Sequence, residues 1–303
     1  LRWLYHLLPS AAAAGLEQES GAPYAPPSLA REGFIHASYG PALLESARLY
    51  FAPGTPLTAL QVDPRRLDVR VEEALTPRGP MPHIHGPLPR DAIRARLAPE
   101  VAAAGPDRVT GTRFALVAFE GMTLLDLVAV LDPLSRIRSM GIDPSASCEV
   151  VGYTGPVVWA QSGARVEVER VRPPLHAYDV VVVPGGPGTR ALVEDAPLRE
   201  WLAEVPDNRL LASVCTGSLL LAAAGKLRGH RATTHARALE ELRALGVEAV
   251  EARLVDSGQR VTGGGGTCGL DVGLHLVERL EGAEAARTIA KQMALPSGWG
   301  GGT

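Results

Sequence analysis

The chain has 303 residues, 46% of them hydrophobic, and a formal net charge of −3. That length leaves room for two domains with packed cores, and the charge balance offers no basic face for nucleic acid. Three cysteines, Cys148, Cys215 and Cys268, cannot all pair and lack metal-ligand spacing, which fits a reducing, cytoplasmic setting.

The opening LRWLYHLLPSAAAAG has an apolar part broken by His6 and Pro9 and one cationic residue in front. It reads as a first strand and helix rather than a secretion signal. No run of 18 apolar residues follows, so no membrane span is expected. After the turn Ala25-Pro26-Pro27 come REGFIHAS and then PALLESARLYF, a helix with Leu43, Leu44, Ala47 and Tyr50 on one stripe. LTALQVD and DVRVEEA alternate like strands, and HIHGPLPRDAI closes the unit. Residues 1–103 thus read as a small α+β domain. Residues 104–112 are the linker, where a Gly-Pro break and small polar residues separate two patterns.

His36, His83 and His85 form a candidate pocket. His83 and His85 share a face only if their stretch is a strand. No cysteine or acid recurs at ligand spacing, so hydrogen-bonded or structural histidines are favoured over a metal site. The first domain resembles a bacterial family of unknown function that carries an FIH strand and an HIxGPL motif. Here these are Phe34-Ile35-His36 and His83-Ile84-His85-Gly86-Pro87-Leu88. Where the family has Cys after FIH, this chain has Ala37. That family is related to ADP-ribosyltransferase-like folds, so the resemblance implies a fold and a pocket but no reaction.

From Arg113 to residue 303 the pattern is α/β. FALVAFE reads as a strand buried on both faces, CEVVGYT as a second strand, YDVVVVPGGPG as a third core strand running into a glycine turn, and LLASVC as the strand that delivers Cys215. GMTLLDLVAVLDPLSRIRSMG, ALVEDAPLREWLAEV, ALEELRALG and GLDVGLHLVERLEGAEAARTIAKQM read as single helices. VVWAQSGARVEVERV and EARLVDSGQRVTGGG read as hairpins. Alternating strands and helices predict a parallel sheet with helices on both faces, and ligands bind such sheets at the strands' carboxyl ends. Glu120, Gly185-Gly186 and Cys215 each follow a core strand there.

The stretch LLASVCTGSLLLAAAG has the pattern of a strand, a sharp turn and a helix, which pushes Cys215 out at the turn. Helix N–H groups behind the turn are expected to lower the thiol's pKa. The alternative is a buried structural cysteine. Cys268 reads as a buried small residue.

The motifs GMTLLDL (121–127), VVVPGGPG (181–188), ASVCTGSLLLAAAGKLRG (212–229), ATTH (232–235) and VTGGGGTCGLDVGLHL (261–276) occur in this order. In them the region from 113 to about 296 resembles the ThiJ/PfpI superfamily, with its flavodoxin-like, class-I glutamine-amidotransferase-like fold. Within it the region looks most like the isonitrile hydratase group, which shares Asp at position 126 and the Cys-Thr pair. The resemblance implies Cys215 as nucleophile and Asp126 as acid/base, although Asp126 also suits a helix N-terminus. Gly186 and Thr216 would offer backbone N–H groups to the reacting centre. Thr216 and His235 would bind substrate, and His235 would either pair with the thiol or form a pocket wall. Ala236 stands where relatives carry an aromatic residue or Pro.

The implied activity is hydration of isonitriles to N-substituted formamides through a thioimidate, by a hydro-lyase without metal or organic cofactor. The expected partners are a small-molecule substrate and a second copy in a homodimer, with no nucleic acid and no membrane. One rival is a glyoxalase- or deglycase-like hydrolase. The other is a ligand-sensing domain, disfavoured as a DNA-binding regulator because no basic recognition helix follows. An intracellular peptidase is disfavoured by Asp rather than Glu at 126.

Overall fold

The structure is a computed structural model that describes residues 1–16, 22–76 and 79–296. It divides into two compact units, Leu1–Val109 and Thr110–Thr303.

The first unit has strands β1 (Leu4–Pro9), β2 (Ile35–His36), β3 (Leu57–Val62), β4 (Val71–Thr76), β5 (Gly79–Ile84) and β6 (Ile93–Leu97). Its helices are α1 (Ser10–Gly15), α2 (Pro27–Glu32), α3 (Leu43–Tyr50) and α4 (Pro99–Ala104). The strands form two antiparallel sheets of three, ordered β1-β3-β6 and β2-β5-β4. Leu4, Leu8, Ile35, Leu60, Val62, Ile84 and Leu88 are buried in its core. In α3 the inward residues are Leu43 and Ser46, while Tyr50, expected on the apolar stripe, is 59% exposed. The segment 105–109 is held to this unit's start. The Trp3 N–H donates to the Asp107 carbonyl at 2.9 Å, the Val109 N–H to the Leu1 carbonyl at 3.0 Å, and Arg2 pairs with Asp107 at 2.7 Å.

The second unit is α/β. Its strands are β7 (Arg113–Ala118), β8 (Ser147–Gly152), β9 (Val157–Trp159), β10 (Arg165–Glu167), β11 (Arg170–Val171), β12 (Val180–Val183), β13 (Leu210–Val214), β14 (Arg231–Ala232), β15 (Glu248–Ala249), β16 (Leu254–Asp256) and β17 (Arg260–Gly263). A seven-stranded sheet runs β11-β8-β7-β12-β13-β17-β16, parallel except for the last pair. The central strands are apolar because both faces are covered: Val180–Val183 and Leu210–Val214 are buried throughout. The sheet carries helices α5 (Leu124–Ser139), α6 (Thr189–Leu192), α7 (Ala196–Ala203), α8 (Gly217–Ala223), α9 (Leu239–Ala244), α10 (Cys268–Glu281) and α11 (Ala283–Gln292). The flavodoxin-like parallel sheet is therefore as expected.

Two segments read as single helices are broken. Residues 189–203 form α6 and α7, because Pro197 suits a helix start and Asp195 caps the Leu198 N–H at 2.9 Å. The closing helix divides into α10 and α11 at Gly282, whose φ is +96°. Among the described residues, no helix is long and apolar enough to cross a membrane.

Candidate active site

The carboxyl ends of β7, β12, β13 and β17 converge on one thiol. Cys215 follows β13 with φ +56°, a left-handed conformation rare for a residue with a side chain. Neighbouring chain holds it there. Its N–H donates to the Gly263 carbonyl at 3.0 Å, and its carbonyl accepts from Ser218 Oγ at 3.2 Å and Thr234 Oγ1 at 3.0 Å. The threonine before His235 thus braces the elbow, a role that no short-range pattern announces.

Asp126 lies in the first turn of α5 and is fully buried. Its Oδ2 accepts the Gly185 N–H at 3.1 Å, and its Oδ1 has no hydrogen-bond partner. Burial pushes this carboxyl up to about 6. The Gly185 N–H, the Cys215 thiol and the Gly266 N–H all act in the opposite direction. A carboxyl at this value near neutrality can both take and give a proton.

The expectation of a depressed thiol pKa is overturned. Burial, then the Asp126 charge, pushes Cys215 up to about 11, against the lowering effect of the Thr216 N–H and hydroxyl. The helix-terminus donor is present, but dehydration and the neighbouring carboxylate outweigh it. Cys148 is raised to about 12 and Cys268 is also raised, both mainly by burial.

Gly186 and Thr216 meet, but not as a pair of open donors. The Gly186 N–H donates to Thr216 Oγ1 at 3.0 Å. Thr189, which the sequence reading did not single out, donates from Oγ1 to the Gly186 carbonyl at 2.7 Å and lies 3.1 Å from Thr216 Oγ1. Of the two backbone donors expected at the reacting centre, the Gly186 N–H is engaged, and only the Thr216 N–H faces the sulfur. Gly186 itself is obligatory. Its φ is +134°, and a Cβ there would stand 2.5 Å from both the Gly121 oxygen and the Thr123 nitrogen.

The groups that weigh most on the thiol's ionisation are Asp126 and Thr216; His235 is placed by contacts of its own. Its Nδ1 accepts the Arg237 N–H at 3.2 Å, and its ring packs so close to Gly265 that a Cβ there would stand 2.6 Å from Cδ2. These contacts fix the ring beside Gly265. Glu120 follows β7 and accepts the Trp159 N–H at 3.1 Å, tying the β9–β10 hairpin to this edge.

In the first unit, His36 and His83 face each other across β2 and β5, their ring centroids 5.4 Å apart. Phe34 stacks on His83 at 3.9 Å and lies 5.7 Å from His85. Burial and the neighbouring His36 and His85 lower the His83 pKa. His85 turns toward Glu72 at 3.4 Å. His6, which the sequence shows only as a break in the opening apolar run, is buried beside this group.

Residues 112–279 match the model of the DJ-1/PfpI family. The chain belongs to the DJ-1/PfpI family. Residues 10–96 match a second model, a protein of unknown function designated DUF952. This DJ-1/PfpI chain is 34% identical over 176 residues to isonitrile hydratase of Pseudomonas putida, covering 58% of this chain and 75% of that protein. It is 29% identical over 174 residues to the HTH-type transcriptional regulator GbdR of Pseudomonas aeruginosa, covering 57% of this chain. It spans about half of that regulator's length, 47%. A solved ThiJ/PfpI family protein from Pseudomonas syringae superimposes with a TM-score of 0.54 at 30% identity, covering 63% of this chain and 81% of that one.

Proposed function

We propose that the second unit is a cysteine-dependent hydratase of the isonitrile hydratase type. The observation that carries this reading is the buried Asp126 carboxyl, held near a pKa of about 6 beside the Cys215 thiol, whose ionisation it opposes. Between about 6 and about 11 the pair retains one proton, on sulfur. An isonitrile carbon placed at the sulfur accepts both parts of the S–H group. The sulfur bonds to carbon while Asp126 relays the thiol proton to that carbon, giving a thioimidate. Water then adds to this carbon and a proton reaches nitrogen. The C–S bond breaks, an N-substituted formamide leaves, and the proton lost from the hydroxyl returns to sulfur through Asp126. The Thr216 N–H and hydroxyl, which stabilise sulfur's negative charge, ease the first and last steps.

The test is formamide production from a small alkyl isonitrile by the wild type, Cys215→Ser and Asp126→Asn, with circular dichroism to confirm folding. Wild-type turnover is expected, with kcat/KM rising as pH rises through about 6. Loss of roughly 10²–10⁴-fold is expected for Asp126→Asn. Wild-type turnover by Asp126→Asn would overturn the proton relay.

A second reading is a ligand-sensing domain, favoured by a thiol pushed up to about 11 and so protonated at rest. The similarity to GbdR supports it. Saturable binding of isonitriles without any formamide would decide for it.

A further inference from the structure

The first unit holds a cavity of about 850 Å³ between α2, β1 and the β2–β5 pair. A cavity of this size accommodates a small organic molecule. Its walls are mainly apolar and aromatic, with Tyr5, Leu8, Pro26, Phe51 and Met81 among them.

The polar groups on these walls are unevenly matched. His6 is buried, and burial lowers its pKa, so it is neutral. Its Nδ1 meets the His36 carbonyl at 2.7 Å and must carry the hydrogen. Its Nε2 therefore accepts from the Tyr24 hydroxyl at 3.1 Å. The Glu32 carboxylate is engaged by His36 Nε2 at 2.8 Å. Two wall groups on α2 have no partner among the described residues. The Ser28 hydroxyl is buried with no hydrogen-bond partner. Arg31, one turn along α2, lines the cavity without a counter-ion among the described residues. An unpartnered hydroxyl and an unpaired guanidinium on one short helix, above an apolar floor, make a complementary setting for a single anionic head on an apolar body.

We propose that this cavity binds an organic monoanion with an aromatic or aliphatic body, its carboxylate- or sulfonate-type head held by Arg31 and Ser28. Tyr24 is fixed as a donor to His6, so it orients the wall rather than titrating. The cavity belongs to the first unit and Cys215 to the second, so its binding does not depend on the reaction assigned to Cys215.

The test uses the full chain and two probes that share a naphthylamine body. The anionic probe is 8-anilinonaphthalene-1-sulfonate, and the uncharged probe is N-phenyl-1-naphthylamine. Fluorescence titration of the wild type is expected to show one saturable site for each. Ala12→Trp, at an exposed position on the cavity wall, is expected to remove both saturable phases. Arg31→Gln is expected to weaken the anionic probe by about tenfold, the scale of one charge-assisted hydrogen bond, and leave the uncharged probe within about twofold. Saturable binding indifferent to Ala12→Trp, or no saturable binding, overturns the site. Equal effects of Arg31→Gln on both probes, or none on either, overturn the anion assignment.

Discussion

The Asp126 carboxyl stands beside the Cys215 thiol, and the pairing acts oppositely on the two: it favours the carboxylate and opposes the thiolate. At neutral pH the resting pair is a carboxylate beside a thiol. This differs from a pre-formed thiolate, and it changes how the cysteine should behave toward reagents.

Alkylation by iodoacetamide should be slow at pH 7 and accelerate as pH rises toward about 11. Asp126→Asn removes the charge that opposes the thiolate, so labelling of Cys215 should become faster at neutral pH while turnover falls. Peptide-mapped labelling rates across pH check this. Slower labelling in Asp126→Asn would mean that the carboxylate serves as the base for alkylation as well.

Stability should respond to the same carboxyl. Its folded pKa of about 6 lies above its ordinary value of 3.8, so the folded state binds the proton more tightly. The stabilisation is full below 3.8 and is lost as pH rises through about 6. The shift corresponds to about 3 kcal/mol as an upper bound for this fully buried group. Asp126→Asn cannot ionise and retains an acceptor for the Gly185 N–H. It should therefore melt at a higher temperature than wild type at pH 7.5 and match it near pH 3.5. Thermal melts at the two pH values are the measurement, and a lower melting temperature at pH 7.5 would refute the argument.

Gly186→Ala should be among the most damaging single-methyl changes in the second unit. The new Cβ meets backbone at 2.5 Å on two sides, where no side chain can move aside, and φ is +134°. Loss of several kcal/mol is expected, on the order of 3 or more, read by urea unfolding. Gly265→Ala, which meets only the His235 ring, should cost clearly less.

The groups that weigh most on Cys215, Asp126 and Thr216, belong to residues 110–303. A chain of those residues alone should fold and show the same alkylation pH profile as the full protein. A displaced profile, restored by adding residues 1–109, would show that the first unit contributes to the thiol's surroundings.

Much was legible from the residues alone. Continuous apolar runs such as Val180–Val183 announce doubly covered strands, and Cys215-Thr216-Gly217 between an apolar run and a small-residue helix announces the turn. The motif order brought Asp126, Gly186, Thr216 and Cys215 to one sheet edge. Local chemistry was less legible where short breaks mattered: Asp195 with Pro197, and Gly282, each end a helix that periodicity alone would carry through. His6 showed only as a break in an apolar run, because it stands inside a strand and belongs to no motif.

Sequence by itself determined the order of the core strands and the candidate nucleophile, since these depend on neighbours within a turn or two along the chain. Only the tertiary structure decided the direction of the thiol's ionisation, the engagement of the Gly186 N–H by Thr216 Oγ1 and the turning of His235 toward Arg237. The physical reason is that burial and pairwise electrostatics depend on distance in space. Here the deciding partners arrive from α5, from the loop after β12 and from the turn after β13, which only the folded sheet brings together.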